Sequence, residues 1–586
     1  MKKVTNKRAD LSPEQKKQLV QKLKAKKKIH LFPLSYAQQR MWFLNRLTPD
    51  SPVYNLPLAV RITGPFKKDI FEISLKTIIK RHEILRTTFR EIKGEVRQIT
   101  GPASAITIEI LPAGNTPLLE VIQTTARQSF DLEKGPLGIV RLIKTAEEEH
   151  VMIIVMHHII SDGWSMGVLV REFTLLYEAL IKGETPVLPP LKIQYADYAQ
   201  WQKKWLEGER LQKQLSFWRK TLTASPPVLE LMGDKARPKT LSNRGAQIYH
   251  TLDSKQWQAL KKRAGQYKLT DFMFLLALFY NLLHRYTRQE DICIGTPVAN
   301  RNRAELEPLI GFFVNTLVLR CAFDPDDSAT TFFTRVKNTA VEAFAHQDIP
   351  FEMLVQELQP ARDMSHSPLF QAFFTHTAFN KSVDFPKGPL HFTPLEQEVK
   401  TAKFELSLFT QETAEGLNIT FEYNTDLYSA DFIDRMAQHF KTLSVQWADH
   451  DFEKIGEAEI LQPRERDKIL KAFNNTKRSY PPALPLTALF ENRASVRPEL
   501  TALRFKQEEL SYRQIHEAVW NLAGHLQQAG LKPGDFAGLY LQRSPELVIG
   551  MYAIVLCGAA YVPLDPDYPQ DRLAYMVEDS GVKLVV

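Results

Sequence analysis

Met156-His157-His158-Ile159-Ile160-Ser161-Asp162-Gly163-Trp164-Ser165 is the stretch whose reading decides the fold. It follows the β-rich apolar run Val151-Met152-Ile153-Ile154-Val155 and precedes a pattern that predicts an amphipathic helix over about residues 166–181. Two histidines therefore stand at a strand end, with an Asp-Gly turn before a helix. If the strand runs through both, alternation puts His157 and His158 on opposite faces, and only one can enter a given cleft. An imidazole titrates near neutral pH and can take a proton from an attacking nucleophile. A histidine pair at a strand end is more often packed than catalytic, but the full string in a strand–turn–helix context is far more specific. No serine or cysteine nucleophile motif accompanies it, which points to group transfer without a covalent intermediate.

Further strings stand in order along the chain. They include Ser35-Tyr36-Ala37-Gln38-Gln39-Arg40-Met41-Trp42 and Arg81-His82-Glu83-Ile84-Leu85-Arg86-Thr87-Thr88-Phe89. Tyr195-Ala196-Asp197-Tyr198-Ala199-Gln200-Trp201 follows, then Gly295-Thr296-Pro297-Val298-Ala299-Asn300-Arg301 and Ile310-Gly311-Phe312-Phe313-Val314-Asn315-Thr316. His346-Gln347-Asp348-Ile349-Pro350-Phe351-Glu352 and Arg362-Asp363-Met364-Ser365-His366-Ser367-Pro368-Leu369 complete the series. With His-His-x-x-x-Asp-Gly, these resemble the motifs of nonribosomal peptide synthetase condensation domains, within the chloramphenicol-acetyltransferase-like acyltransferases. The wording looks most like the subtype that joins two L-amino acids. Beyond about residue 485, Leu510-Ser511-Tyr512 and Gly558-Ala559-Ala560-Tyr561-Val562-Pro563-Leu564-Asp565 are similar to the first two motifs of adenylation domains. The Gly/Ser/Thr-rich phosphate loop that comes next in that family is absent. The chain stops in the apolar run Val582-Lys583-Leu584-Val585-Val586, which reads as an unfinished strand and predicts a truncated record or reading frame.

The resemblance implies an α/β fold of two chloramphenicol-acetyltransferase-like αβ lobes in a V, plus an incomplete α/β adenylation segment. The expected division is a basic leader at 1–29, lobes at 30–215 and 216–455, a linker at 456–485 and the adenylation fragment at 486–586. It also implies roles. His158 matches the cleft-facing histidine and contacts the attacking amine, as general base or as positioning acceptor. His157 stands beside it and is expected to pack on the opposite face. Asp162 is expected to pair with an arginine and hold the loop, with Arg86 and Arg301 as the two candidates. Gly163 permits a backbone conformation or close approach that a Cβ would block, and its N–H is an oxyanion donor at a helix start. Ser165 caps the helix or reaches the oxyanion, the cap being favoured. Asn315, an amide inside an apolar run, lines the substrate tunnel or bonds neighbouring backbone; the resemblance favours the tunnel. Tyr195 and Trp201 read as core, and His82 and His346 as structural.

Composition bounds the remaining possibilities. The 586 residues predict several domains. Residues 1–28 hold ten Lys and one Arg against Asp10 and Glu14, a net +9, so the net +8 of the whole leaves −1 for the remainder. The basicity belongs to a leader, not to a nucleic-acid face. Leu11, Leu19, Val20 and Leu23 suggest a short amphipathic helix there, able to dock an acidic partner. Cys293, Cys321 and Cys557 have no paired spacing, which argues against a metal site or disulfide framework. No secretory signal is visible, and Phe272–Tyr280 falls short of the ~20 residues a spanning helix needs, so a cytoplasmic location is expected. The implied reaction is amide formation between a carrier-bound acyl donor (aminoacyl, peptidyl or fatty acyl) and a carrier-bound acceptor amino acid. No metal or organic cofactor is expected for the condensation domain itself; the substrates ride on phosphopantetheine. ATP and magnesium enter only if a complete adenylation domain follows. The expected partners are a donor carrier in trans and a downstream acceptor carrier, with no nucleic acid or membrane. The alternatives are a non-catalytic carrier-recruitment platform and an epimerisation-type relative.

Overall fold

The computed structural model describes residues 31–101, 106–112, 116–222, 228–359, 365–378, 390–395, 400–479 and 484–586. The basic leader, with its expected helix, and Arg362, Asp363 and Met364 lie outside the described residues. The chain divides into two compact units, 1–466 and 467–586.

The first unit contains two αβ lobes. A five-stranded sheet, in the order His391–Pro394, Asn55–Thr63, Glu149–His157, Gly138–Ala146 and Thr107–Leu111, forms one of them. The strand Glu149–His157 is central and antiparallel to both neighbours. Its run from His150 to His157 is buried on both faces, which explains a continuous apolar run in place of alternation. The helices Lys68–Arg81 and Gly163–Ile181 cover the sheet, with Phe71 edge-on to Phe173 at 5.4 Å. A six-stranded mixed sheet organises the second lobe, in the order Asn315–Ala322, Asp291–Val298, Ala372–Thr377, Leu406–Thr413, Gly416–Asn424 and Gly245–Asp253. Behind it lies the helix Asp271–Thr287, whose residues Met273 to His284 are all buried. A helix apolar on every face must be enclosed, and this one fills the lobe's core. The apolar stretch Phe272–Tyr280 belongs to it. Among the described residues, no helix is long and apolar enough to cross a membrane.

Two chain segments interlock the lobes. The strand His391–Pro394, late in the sequence, pairs antiparallel with Asn55–Thr63 of the first sheet. The loop between Asp291–Val298 and Asn315–Ala322 sends Leu306, Leu309, Ile310, Phe312 and Phe313 into the first lobe's core. The helix Gly208–Thr221 runs across the lobe boundary expected at 215, and its Leu215 and Trp218 belong to the second core. Tyr195 and Tyr198, on the preceding helix Tyr195–Trp205, belong to the first. The chain therefore changes cores near residue 207. The expected linker is also shorter than its sequence suggests, because Ile455 and Ala458 are fully buried in the second core.

The second unit has a core of its own around Val519, Leu526, Ala537, Leu539 and Ile554. Its helix Tyr512–Gln528 starts at a capping box in which Ser511 and Gln514 satisfy each other's backbone N–H. A parallel sheet runs Ala560–Pro563, Phe536–Leu539, Leu584–Val585, so the apolar run at 582–586 does form a strand.

One glycine fixes how residues 400–403 lie on the second sheet. Gly245 donates to the Lys400 carbonyl at 3.0 Å, and a Cβ on it would fall 2.4 Å from the Thr401 carbonyl carbon and 2.5 Å from the Ala402 nitrogen. Both are backbone atoms that a small rotamer change cannot move. Gly245→Ala is expected to destabilise the first unit by about 1–3 kcal/mol, as overpacking does. A lowered thermal midpoint, with the second unit's transition unmoved, is the measurement that checks it.

Candidate active site at the histidine turn

The strand ends at His157, and His158–Ile160 forms a single 3-10 turn before Ser161 and the helix Gly163–Ile181. The two histidines are thus separated by the turn rather than by strand alternation. His157 is 2% exposed. Its backbone N–H donates to the Leu137 carbonyl at 2.9 Å, its Nδ1 accepts from the Ile159 N–H at 3.1 Å, and its ring meets Phe130 edge-on at 6.4 Å. Burial first, then the charge of Lys403, pushes its imidazole down to about 4. His157 therefore acts as a neutral cap of the turn.

His158 differs. It is partly exposed, and its Nδ1 lies 3.0 Å from the Ser161 carbonyl oxygen. A carbonyl only accepts, so Nδ1 carries the proton and the neutral ring presents a lone pair at Nε2. No described residue bonds Nε2. The Phe312 ring braces the imidazole, with centroids 4.7 Å apart. Burial holds His158 well below the usual 6.5, the charge of Lys403 adds to the effect, and the Ser161 contact opposes it. Lys403 was not singled out from the sequence. It stands in the wall of a cleft of about 230 Å³ lined also by Asn55, Arg127 and Glu422, and Asn55 is the cross-strand neighbour of His157. Its chain opens to the cleft but is ringed by protein; this desolvation pushes its ammonium down to about 8, while Glu422 opposes the shift.

Asp162 is fully buried and is the N-cap of the helix. Its Oδ1 accepts from the Ser165 N–H at 2.8 Å, the Ser165 hydroxyl at 2.7 Å and Arg301 Nη2 at 3.2 Å. Its Oδ2 accepts from the Phe313 N–H at 3.0 Å. Of the two candidate arginines, Arg301 is the partner. Arg86 instead donates to the Gly101 carbonyl at 2.7 Å and to Glu83, three residues before it, at 3.3 Å. Arg301 also donates from Nη1 to the Leu306 and Leu309 carbonyls, at 2.5 and 2.8 Å, and lies 4.0 Å from the centre of the Phe313 ring.

Three expectations change in detail. Ser165 is not the cap but the third helical residue; its hydroxyl lies 2.8 Å from the Gly311 carbonyl and accepts from the Gly311 N–H at 3.0 Å and from Arg301 at 2.8 Å. Asn315 is spent on backbone. It donates to the Gln347 and Ile349 carbonyls at 2.9 and 2.7 Å and accepts from the Phe351 N–H at 3.0 Å, fixing the start of the helix Phe351–Leu358. Gly163 has no neighbour within 4 Å of where a Cβ would stand, so the protein itself does not demand glycine there. As the first helical residue, its N–H is one of the donors that a helix leaves unpaired. His82 bonds Glu172 at 2.8 Å and accepts from the Ile310 N–H at 3.4 Å, and His346 stacks on Phe217 at 3.9 Å.

Removing either partner of the buried pair leaves a charge without compensation. Asp162→Ala and Arg301→Met are each expected to destabilise the first unit by about 3–5 kcal/mol. The double variant is expected to lose less than the sum, with a coupling of about 1–3 kcal/mol in urea unfolding.

The condensation domain family matches residues 28–470, and the AMP-binding enzyme family matches residues 490–586. One of the linear gramicidin synthase proteins of Brevibacillus parabrevis is 42% identical over 574 residues, covering 97% of this chain and 11% of that protein. The chain thus spans about a tenth of the length of that relative. A holo four-domain nonribosomal peptide synthetase bound to AMP and glycine superposes with a TM-score of 0.79 at 23% identity, over 95% of this chain and 43% of its own. The X-domain from teicoplanin biosynthesis superposes with a TM-score of 0.68 at 27% identity, over 74% of this chain and 99% of its own. The family matches and the gramicidin synthase relative agree: the chain belongs to the condensation domain family of nonribosomal peptide synthetases and continues into the first part of an AMP-binding domain.

Proposed function

We propose that the first unit joins an acyl thioester to an amine and releases a thiol, the amide-forming step of nonribosomal peptide assembly. The observation that carries this reading is the free Nε2 of His158. Its proton is held at Nδ1 by the Ser161 carbonyl, so Nε2 offers a lone pair on a neutral ring. In the forward step the amine nitrogen bonds to the thioester carbonyl carbon. One amine proton passes to Nε2, or is held there by a hydrogen bond, and the carbon–sulfur bond breaks. The proton leaves on the departing thiolate, so the ring returns neutral. The Gly163 N–H, at the positive end of a 19-residue helix, is the donor for the oxygen that gains charge. The open space over its Cα fits the approach of a substrate. Asp162, Ser165 and Arg301 act through the turn and do not touch the substrate.

Donor and acceptor both arrive on the phosphopantetheine arms of carrier domains, the donor carrier on a separate chain and the acceptor carrier downstream. The reaction takes place in the cytoplasm. Residues 486–586 are the start of an adenylation domain and do not by themselves activate an amino acid. A non-catalytic recruitment platform is the competing reading, and one variant separates the two.

With carrier-bound substrates supplied in trans, His158→Ala is expected to lower the rate of amide formation by about 10²–10⁴-fold, the range of a positioned acid–base group. A rate unchanged by the substitution would leave only the platform. The pH profile has a definite sign. The neutral imidazole is the active form and its titration lies well below 6.5, so the rate is expected to hold constant from neutral pH through 6.5 and to fall only in more acid solution.

A further inference from the structure

We propose that Tyr195 is a positioning residue for His158, its hydroxyl joining the two routes by which the rest of the lobe fixes the imidazole. This rests on the reading of His158 as the group that meets the amine.

The first route runs through the loop that braces the ring. Three successive loop residues are each gripped at the backbone by a buried first-lobe side chain. Ser165 holds Gly311, Tyr195 holds Phe312 and Asp162 holds Phe313. The Tyr195 hydroxyl donates to the Phe312 carbonyl at 2.5 Å, and the Phe312 ring lies against His158. The fit leaves no slack. A Cβ on Gly311 would lie 2.0 Å from Tyr195 Cδ2, so the tyrosine ring and the loop backbone are already in contact.

The second route runs through the backbone behind the histidine. A carbonyl cannot donate, so the Tyr195 proton goes to Phe312, and the Ser35 hydroxyl, 2.8 Å away, donates to the Tyr195 oxygen. Ser35 is the N-cap of the helix Tyr36–Leu47 and forms a capping box with Gln38. Gln38, fully buried, donates from Nε2 to the carbonyl of Ile159, the residue that follows His158. The opening motif and the Tyr195 motif thereby meet at one oxygen and act on His158 from its two sides. A tyrosine serving only as core needs no such hydroxyl. Its ring packing, with centroids 4.9 Å from Phe313 and 5.5 Å from Tyr198, survives in phenylalanine.

The test uses the 586-residue chain and three variants. Tyr195→Phe removes only the hydroxyl. Phe312→Leu removes the brace while keeping an apolar side chain. Tyr198→Phe is the control, because its hydroxyl accepts from Gln202 and Asn300 and bonds none of the three loop residues. The first two are expected to lower kcat about ten-fold while each KM stays within about two-fold, since misplacement of the group costs the step and not the binding. Loosening the brace also admits water to the ring. The charges of Lys403 and Arg40 that act on it stay in place, so the His158 titration and the acid limb of kcat both move upward, toward 6.5. The imidazole titration, followed by NMR and assigned with His158→Ala, needs no turnover. It therefore decides this inference even if wild type forms no amide, a result that would sink only the functional reading. Unchanged kcat and titration in Tyr195→Phe and Phe312→Leu would overturn the proposal. So would a Tyr198→Phe variant that behaves like Tyr195→Phe. If Tyr195→Phe does not fold, Ser35→Ala, which removes the donor to the Tyr195 oxygen, is read in its place, and an unchanged His158 titration in it would overturn the proposal.

Discussion

The buried pair of Asp162 and Arg301 is the constraint on which the rest of the site depends. The two residues are 139 positions apart and both essentially inaccessible to solvent. A buried ion pair is not stabilising by default, because each charge loses its hydration. Here most of that loss is offset by hydrogen bonds. The carboxylate accepts from two backbone N–H groups, a hydroxyl and the guanidinium, and the guanidinium donates to two carbonyls and lies over the Phe313 ring. Of the pair's own polar atoms, Arg301 Nε is left buried without a partner among the described residues. The same carboxylate oxygens start the helix behind the histidine turn and hold the loop that braces the histidine. One charge therefore couples the first lobe to a loop that leaves the second lobe's sheet.

Burial sets the electrostatics of the turn. Both imidazoles are kept neutral by desolvation, and Lys403 in the cleft wall reinforces this. Their hydrogen bonds then give them different work. Nδ1 of His157 accepts, so that ring closes the turn, whereas Nδ1 of His158 donates and leaves Nε2 free. Two adjacent residues of one type thus differ in function through which backbone group each ring meets.

Much of this was legible in the sequence because it is local. The strand, the turn and the helix follow from an apolar run, an Asp-Gly pair and a helical period, and the family motifs are contiguous. What was not legible is long-range. Sequence offered Arg86 and Arg301 equally as partners of Asp162. Arg86 turns to Glu83 and Gly101 close to it in the chain, and only the folded loop brings Arg301 to the carboxylate. For Asn315 an amide in an apolar run left tunnel and backbone both open, and the resemblance favoured the tunnel, but its partners are the backbone of residues 347, 349 and 351. Ser165 resembled a cap, a place that Asp162 takes with better geometry. Tyr195 read as core, since nothing local indicates where a hydroxyl will point. Lys403 carried no motif at all.

The central claim is that the turn presents a neutral His158 with its proton on Nδ1. Nitrogen NMR of the chain labelled in its histidine rings, with His158 assigned by its loss in His158→Ala, measures this directly at pH 7. A protonated Nδ1 and a bare Nε2 are the result expected. The opposite tautomer, or a ring protonated on both nitrogens, would contradict the account.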